Sequence, residues 1–214
     1  MVNINSSDDI LMSIRNNSDL GEQVKSVCAN INFLKEKSAF KSLVIAPVSN
    51  LEASANLIVS LAVSLASSGQ KVLLVDGDLH AKRVSQLFGL QSSVHGIAEL
   101  SAGTPEEANL FIVPESGIPN LDVVPAGTSG LDGLTNIDVL STFIEQQEKK
   151  YDIILIDAPA AIDNVDTMIW ANIVGQLLLI IQKKKTLKRD VKATLHKISL
   201  TNAKVIGAVF SNEA

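Results

Sequence analysis

Cysteine is nearly missing from this 214-residue chain: Cys28 stands alone, and the three histidines, His80, His95 and His196, are far apart in sequence. A disulfide framework and a thiolate zinc site both need several such residues at close spacing, so both are excluded as organising devices. Aromatic residues make up only 4%, which leaves the core to Leu, Ile, Val and Ala and gives single-stranded nucleic acid little to stack on. The formal net charge of -5 supplies no overall attraction to nucleic acid or to an anionic bilayer. No apolar run approaches the ~20 residues that span a membrane. Met1 to Leu20, rich in Asn, Ser and Asp, has no apolar stretch of the signal-peptide kind. The expectation is a cytoplasmic chain without direct membrane insertion.

What is present is ordinary globular composition, 46% hydrophobic and 19% charged, at a length suited to one domain of roughly 100 to 200 residues. Residues 1–20 read as a mobile N-terminal arm and 21–214 as a single α/β domain. From Glu22 to Lys35 the apolar residues Val24, Val27, Cys28, Ile31 and Leu34 recur at helical spacing and predict one buried stripe. Cys28 lies on that stripe, so packing is its reading.

Beyond it, short apolar runs alternate with longer helical patterns. The runs are Leu43 to Ala46, Val72 to Asp76, Leu121 to Val124, Ile153 to Asp157, Leu177 to Gln182 and Val205 to Phe210. They are almost continuously apolar, as parallel strands covered on both faces are. Helices are predicted over 52–67, 80–88, 137–148, 165–172 and 187–199, and a further strand over Leu110 to Val113 at one edge. This order implies a three-layer, doubly wound, mostly parallel sheet.

Ligands of such sheets bind at the carboxyl ends of the strands. Two of those ends carry acids: Asp76 with Asp78 after the second strand, and Asp157 after the fourth. An aspartate closing an apolar strand is how a nucleotide-bound magnesium is met. The same residues also serve as helix caps and turn formers, and the residues alone leave both readings open.

The segments Gln70 to Leu79, Gln86 to Leu90, Gly96 to Leu100, Leu121 to Gly127 and Tyr151 to Pro159 together resemble the bacterial tyrosine kinases of capsular and exopolysaccharide export, the BY-kinase cytoplasmic domain. The resemblance runs from about Gly21 to Ser211 and implies a P-loop NTPase-like fold. Septum-site and chromosome-partition ATPases share the two aspartate motifs but not the stretch from Leu87 to Gly127 in this form.

The resemblance also implies a loop of the form G-x-G-K-S/T after the first strand, and here the sequence departs from it. Asn50, Leu51, Glu52, Ala53, Ser54, Ala55 and Asn56 stand in that place. No Lys or Arg occurs between Lys41 and Lys71, and no Gly between Gly21 and Gly69. A phosphate nest needs amides turned inward, which glycine makes sterically cheap, a lysine for the outer phosphates and a hydroxyl for magnesium. Glu52 adds charge of the wrong sign. Ser54 and the helix start retain at most an affinity for a small anion. Other implied features are also altered: the E-x-x-R-x-x-R oligomerisation helix reads Glu22, Lys25, Cys28, and the adenine-contacting asparagine is replaced by Ser211. The only tyrosine is Tyr151, which opens a strand. Asp76, Asp78 and Asp157 form the remnant of a nucleotide and metal site, with no catalytic set intact and no metal expected.

The expectation is therefore a catalytically inactive BY-kinase-like protein, a regulatory or binding subunit of polysaccharide synthesis and export, needing no cofactor. Two alternatives stand beside it: an active ATP- and magnesium-dependent protein-tyrosine kinase with a lysine supplied by another chain, and a partition-type regulator, which would need a nucleotide cycle. The implied partner is a membrane-anchored chain-length or co-polymerase protein that holds the chain at the inner membrane face. The basic run Lys183, Lys184, Lys185, Lys188, Arg189 and Lys192 reads as a solvated helix face or as the docking surface for that partner. Lys184, Lys188 and Arg189 are its candidate contacts, joined by Glu22 and Lys25 on the first helix. A monomer or weak dimer is expected in isolation.

Overall fold

The computed structural model describes residues 19–51, 54–90, 95–103, 111–114, 117–128 and 133–211. The arm proposed for 1–20 thus lies almost wholly outside the described residues. In chain order the elements are α1 (Asp19–Ser38), β1 (Ser42–Pro47), α2 (Ser54–Ser67), β2 (Val72–Asp76), α3 (Arg83–Leu87), α4 (Ile97–Ala102), β3 (Leu121–Val124), α5 (Ile137–Gln147), β4 (Ile153–Asp157), α6 (Val165–Val174), β5 (Gln176–Gln182), α7 (Lys188–Ile198) and β6 (Lys204–Ser211).

The six strands form one parallel sheet in the order β3-β2-β4-β1-β5-β6. Successive side chains of a strand point to opposite faces, and the two cores follow that alternation. Leu43 and Ile45 of β1 pack with Ile58, Leu61 and Leu65 of α2 and with Val24 and Ile31 of α1. Val44 and Ala46 face the other way, toward Phe143 of α5, Trp170 of α6 and Ile198 of α7. Every residue of β1, β2 and β4 is buried, which is why these runs read as unbroken apolar stretches. Phe143 and Trp170 are among the largest fully buried side chains, and truncation of either to alanine costs about 3–5 kcal/mol.

Two predicted elements differ from those observed. The helix expected over 80–88 is only α3, because Asp78 Oδ1 accepts the amides of His80 (3.2 Å) and Ala81 (3.0 Å) and Lys82 sits in the left-handed region at φ 49°. Both fix a turn ahead of Arg83. The strand expected over Leu110 to Val113 reduces, among the described residues, to one antiparallel bridge between Val113 and Val123. Pro114 follows directly and has no amide to continue a ladder.

Candidate functional site

β1, β2 and β4 are neighbours in the sheet, and the order brings their carboxyl ends together. Asp76 and Asp157 are register partners across β2 and β4, and Ile45, near the end of β1, is opposite Asp157. The link between β1 and α2 therefore lies beside both aspartates. Val48 and Leu51 are buried and Asn50 is exposed. Glu52 and Ala53 lie outside the described residues. Ser54 and Ala55 are buried, and Asn56 is half-buried with its carbonyl accepting the Ser60 hydroxyl at 2.7 Å.

Among the described residues of this link, the Leu51 carbonyl gathers the nearby donors. The Leu51 carbonyl accepts the Ser54 amide (3.2 Å), the Ser54 hydroxyl (2.8 Å) and Arg83 Nη1 (3.0 Å). Ser54 was expected to keep an affinity for a small anion. Its hydroxyl proton is instead directed at Leu51. Arg83 is the residue that sequence reading missed: it is remote from the link in the chain, and the turn fixed by Asp78 delivers it there.

The acids differ in state. Asp76 is completely buried. Its Oδ2 accepts both the amide (2.7 Å) and the hydroxyl (2.5 Å) of Ser85, which satisfies the start of α3 as a capping carboxylate does. Its Oδ1 has no partner. Burial, outweighing the Ser85 hydrogen bonds, pushes its pKa up to about 6. Asp157 is held well above the ordinary carboxylate range by burial and by the nearby Asp76 and Asp78, with Arg83 opposing. Two buried carboxyls facing one another favour a shared proton or a shared cation. Asp78 acts as the turn former described above. Among the described residues no group of three or more His, Cys, Asp or Glu is arranged to hold a metal ion.

The segments around Gly96 and Gly127, which carried much of the resemblance, form a clasp beside the site. Ile97 and Ala98 donate their amides to the carbonyls of Pro125 and Ala126, each at 2.9 Å. Glu99 Oε2 accepts the Gly96 amide at 2.8 Å, and its Oε1 accepts the Thr128 amide at 2.8 Å. A Cβ on Gly96 would come 1.9 Å from the Pro125 oxygen, so only glycine fits. Ser85 Oγ accepts the Ala126 amide at 2.9 Å, which ties the clasp to Asp76. No periodicity reveals such a contact.

The remaining candidates lie elsewhere. Ser211 closes β6, its carbonyl accepting the Lys183 amide at 2.9 Å. Lys184, Lys188 and Arg189 are exposed beyond β5, the strand next to β1, and Glu22 and Lys25 are exposed on α1. Arg189 lies 3.4 Å from Asp190. Cys28 is buried and its thiol, directed at the Leu61 carbonyl (3.7 Å), is pushed up to about 11 by burial, as an inert packing cysteine is. Tyr151 donates to Asp122 Oδ2 at 2.6 Å, and burial with that partner raises its pKa. Both residues serve the fold.

Comparison with known proteins places this geometry. The model of the family described as AAA domain matches residues 53–206. CapB of Staphylococcus aureus is 26% identical over 91% of this chain and 85% of its own length. Tyrosine-protein kinase ptk of Acinetobacter johnsonii is 23% identical over 94% of this chain, which spans only 28% of that longer protein. Among solved structures, the chimerical protein CapA2B2 superimposes with a TM-score of 0.78 at 23% identity, over 92% of this chain and 87% of that one.

Proposed function

This chain belongs to the AAA domain family and is a BY-kinase-type cytoplasmic domain of P-loop fold; on that premise we propose that it is a catalytically inactive member, a binding or regulatory subunit of capsule or exopolysaccharide synthesis and export. The observation that carries the proposal is the state of the β1–α2 link. A polyphosphate is held by inward amides and a free cation. The link presents instead a buried Leu51 side chain and a carbonyl that gathers the Ser54 hydroxyl and the Arg83 guanidinium. Phosphoryl transfer rests almost entirely on positioning and charge neutralisation, so this arrangement supports a subunit that works without ATP and magnesium.

One structural neighbour is the chimerical protein CapA2B2, which is consistent with the arrangement proposed here, a membrane-anchored co-polymerase holding this subunit at the inner face. Among the described residues no helix is long and apolar enough to cross a membrane. Incubation of the purified chain with radiolabelled ATP and magnesium, alone and with a co-polymerase cytoplasmic segment, tests the proposal. No incorporation into tyrosine is expected in either case. Incorporation that Asp157→Asn abolishes would establish the active-kinase alternative.

A further inference from the structure

β6 is the last strand of the sheet, and among the described residues no strand pairs with its outer edge. Edge strands are ordinarily blunted by proline, inward charge or a covering element. The sequence Lys204–Ser211 has no proline and no charge after Lys204. Phe210 near the end of this edge is 64% exposed, and Phe33 on α1 is 68% exposed. Between α1 and β6 lies a groove of about 520 Å³, walled by Val27, Phe33 and Leu34 on one side and by Leu178, Gly207 and Val209 on the other. Gly207 makes this space: it sits opposite Leu178 in register and carries no side chain to fill the gap.

Charge selects the occupant. From Gln176 to Arg189 and along β6 there is no Asp or Glu, and the Lys183 amide binds the Ser211 carbonyl, so the basic run starts at the end of β6 while Lys204 opens it. A second copy paired antiparallel through β6 would set Lys204 of one chain against the basic end of the other, and like charges placed opposite are destabilising. An acidic strand meets no such cost. We infer that the β6 edge is a strand-addition site for an extended acidic segment of a partner protein, which pairs with the main chain of Lys204–Ser211 and seats an apolar side chain in the groove over Gly207. Main-chain pairing gives such a site its affinity, and the alternate side chains that fall into pockets give it specificity. The inference rests on the reading of this chain as a docking subunit, but not on the state of its nucleotide site.

Selection of random ten-residue peptides on the full chain, without nucleotide, tests it. Enriched peptides should alternate Val, Ile or Phe with Asp or Glu, lack proline, and slow hydrogen exchange of the amides of residues 204–211. Gly207→Val should weaken them by at least about tenfold. A Cβ there would meet only Leu178 Cδ1, at 3.4 Å, and an unchanged melting temperature verifies that the variant keeps the fold. Phe33→Glu at the far wall should act in the same direction. Replacing Lys183, Lys184 and Lys185 with Glu should weaken binding several-fold, most at low salt. No enrichment, or equal binding to Gly207→Val and Phe33→Glu, overturns the inference. So does binding that appears only once residues 1–18 are removed, which would make the chain's own arm the occupant. A dimer that Gly207→Val dissolves would assign the edge to a second copy. Peptide binding that persists in a chain found to phosphorylate tyrosine would sink the inactive reading alone.

Discussion

The carboxyl ends of β1, β2 and β4 and the outer edge of β6 treat polar groups in opposite ways. At the first, Ser54 and Arg83 donate to the Leu51 carbonyl and Ser85 donates to one oxygen of Asp76, while the other Asp76 oxygen stays buried without a partner. At the second, main-chain groups, a groove and a basic turn face outward with apolar side chains left uncovered. On the reading proposed above, the strand ends of this fold are closed to nucleotide and the surface open to a partner is the β6 edge. A ligand site is recognised by groups that remain available: at the strand ends Asp76 Oδ1 is such a group, and at the edge the groove and the basic run are.

Breaking the closed region should have the largest effect. Gly96→Val drives a Cβ into the Pro125 carbonyl, dismantling the clasp that leads through Ala126 and Ser85 to Asp76. A loss of about 3 kcal/mol or more is expected, read from urea unfolding. Arg83→Gln comes next. It removes the cation nearest Asp157 and one donor from Leu51, at a cost of about 1–2 kcal/mol. Asp157→Asn should recover much of that loss, because the charge Arg83 offsets is then gone. Equal losses in both backgrounds would show that Arg83 serves only the loop.

The buried acid pair gives the closed region a pH signature. A carboxyl whose folded pKa exceeds its unfolded value keeps, on folding, a proton that the unfolded chain has already released. With Asp76 near 6 and Asp157 raised well above the ordinary carboxylate range, the pair's contribution to stability should rise as pH falls, through about 6 for Asp76, toward about 4. Asp157→Asn should stabilise the protein by about 1 kcal/mol near neutral pH and flatten that slope in melting curves. A slope of opposite sign would mean that the pair is ionised and paired in the fold. The smallest effect belongs to the open region: Gly207→Val should change stability by no more than about 0.5 kcal/mol, since the edge is built to accept a side chain there.

The difference between the regions also explains what the sequence could reveal. The parallel sheet was legible because β1, β2 and β4 are buried throughout and their apolar runs leave no doubt about period or length. Asp76 and Asp157 were legible as strand-end residues. That the link after β1 lacks its own Gly and Lys is equally plain, yet this describes only the neighbourhood along the chain. Arg83 reaches the Leu51 carbonyl across 32 positions, through a turn set by Asp78 and Lys82 that shortened the predicted helix. The clasp of Gly96 and Glu99 on Pro125 and Thr128 is likewise long-range and leaves no periodic trace. At the edge, the basic run was visible, but the groove depends on Gly207 standing opposite Leu178, and register is a property of the folded sheet.

Isothermal titration of the full chain with ATP and magnesium tests the central claim most directly. The closed link predicts no saturable heat up to millimolar nucleotide, in the wild type and in Ser54→Lys alike, because a single lysine restores neither the nest nor the hydroxyl. Stoichiometric binding at micromolar ATP that Asp157→Asn weakens would contradict the account, since it would show that Leu51, Ser54 and Arg83 exchange their mutual hydrogen bonds for phosphate.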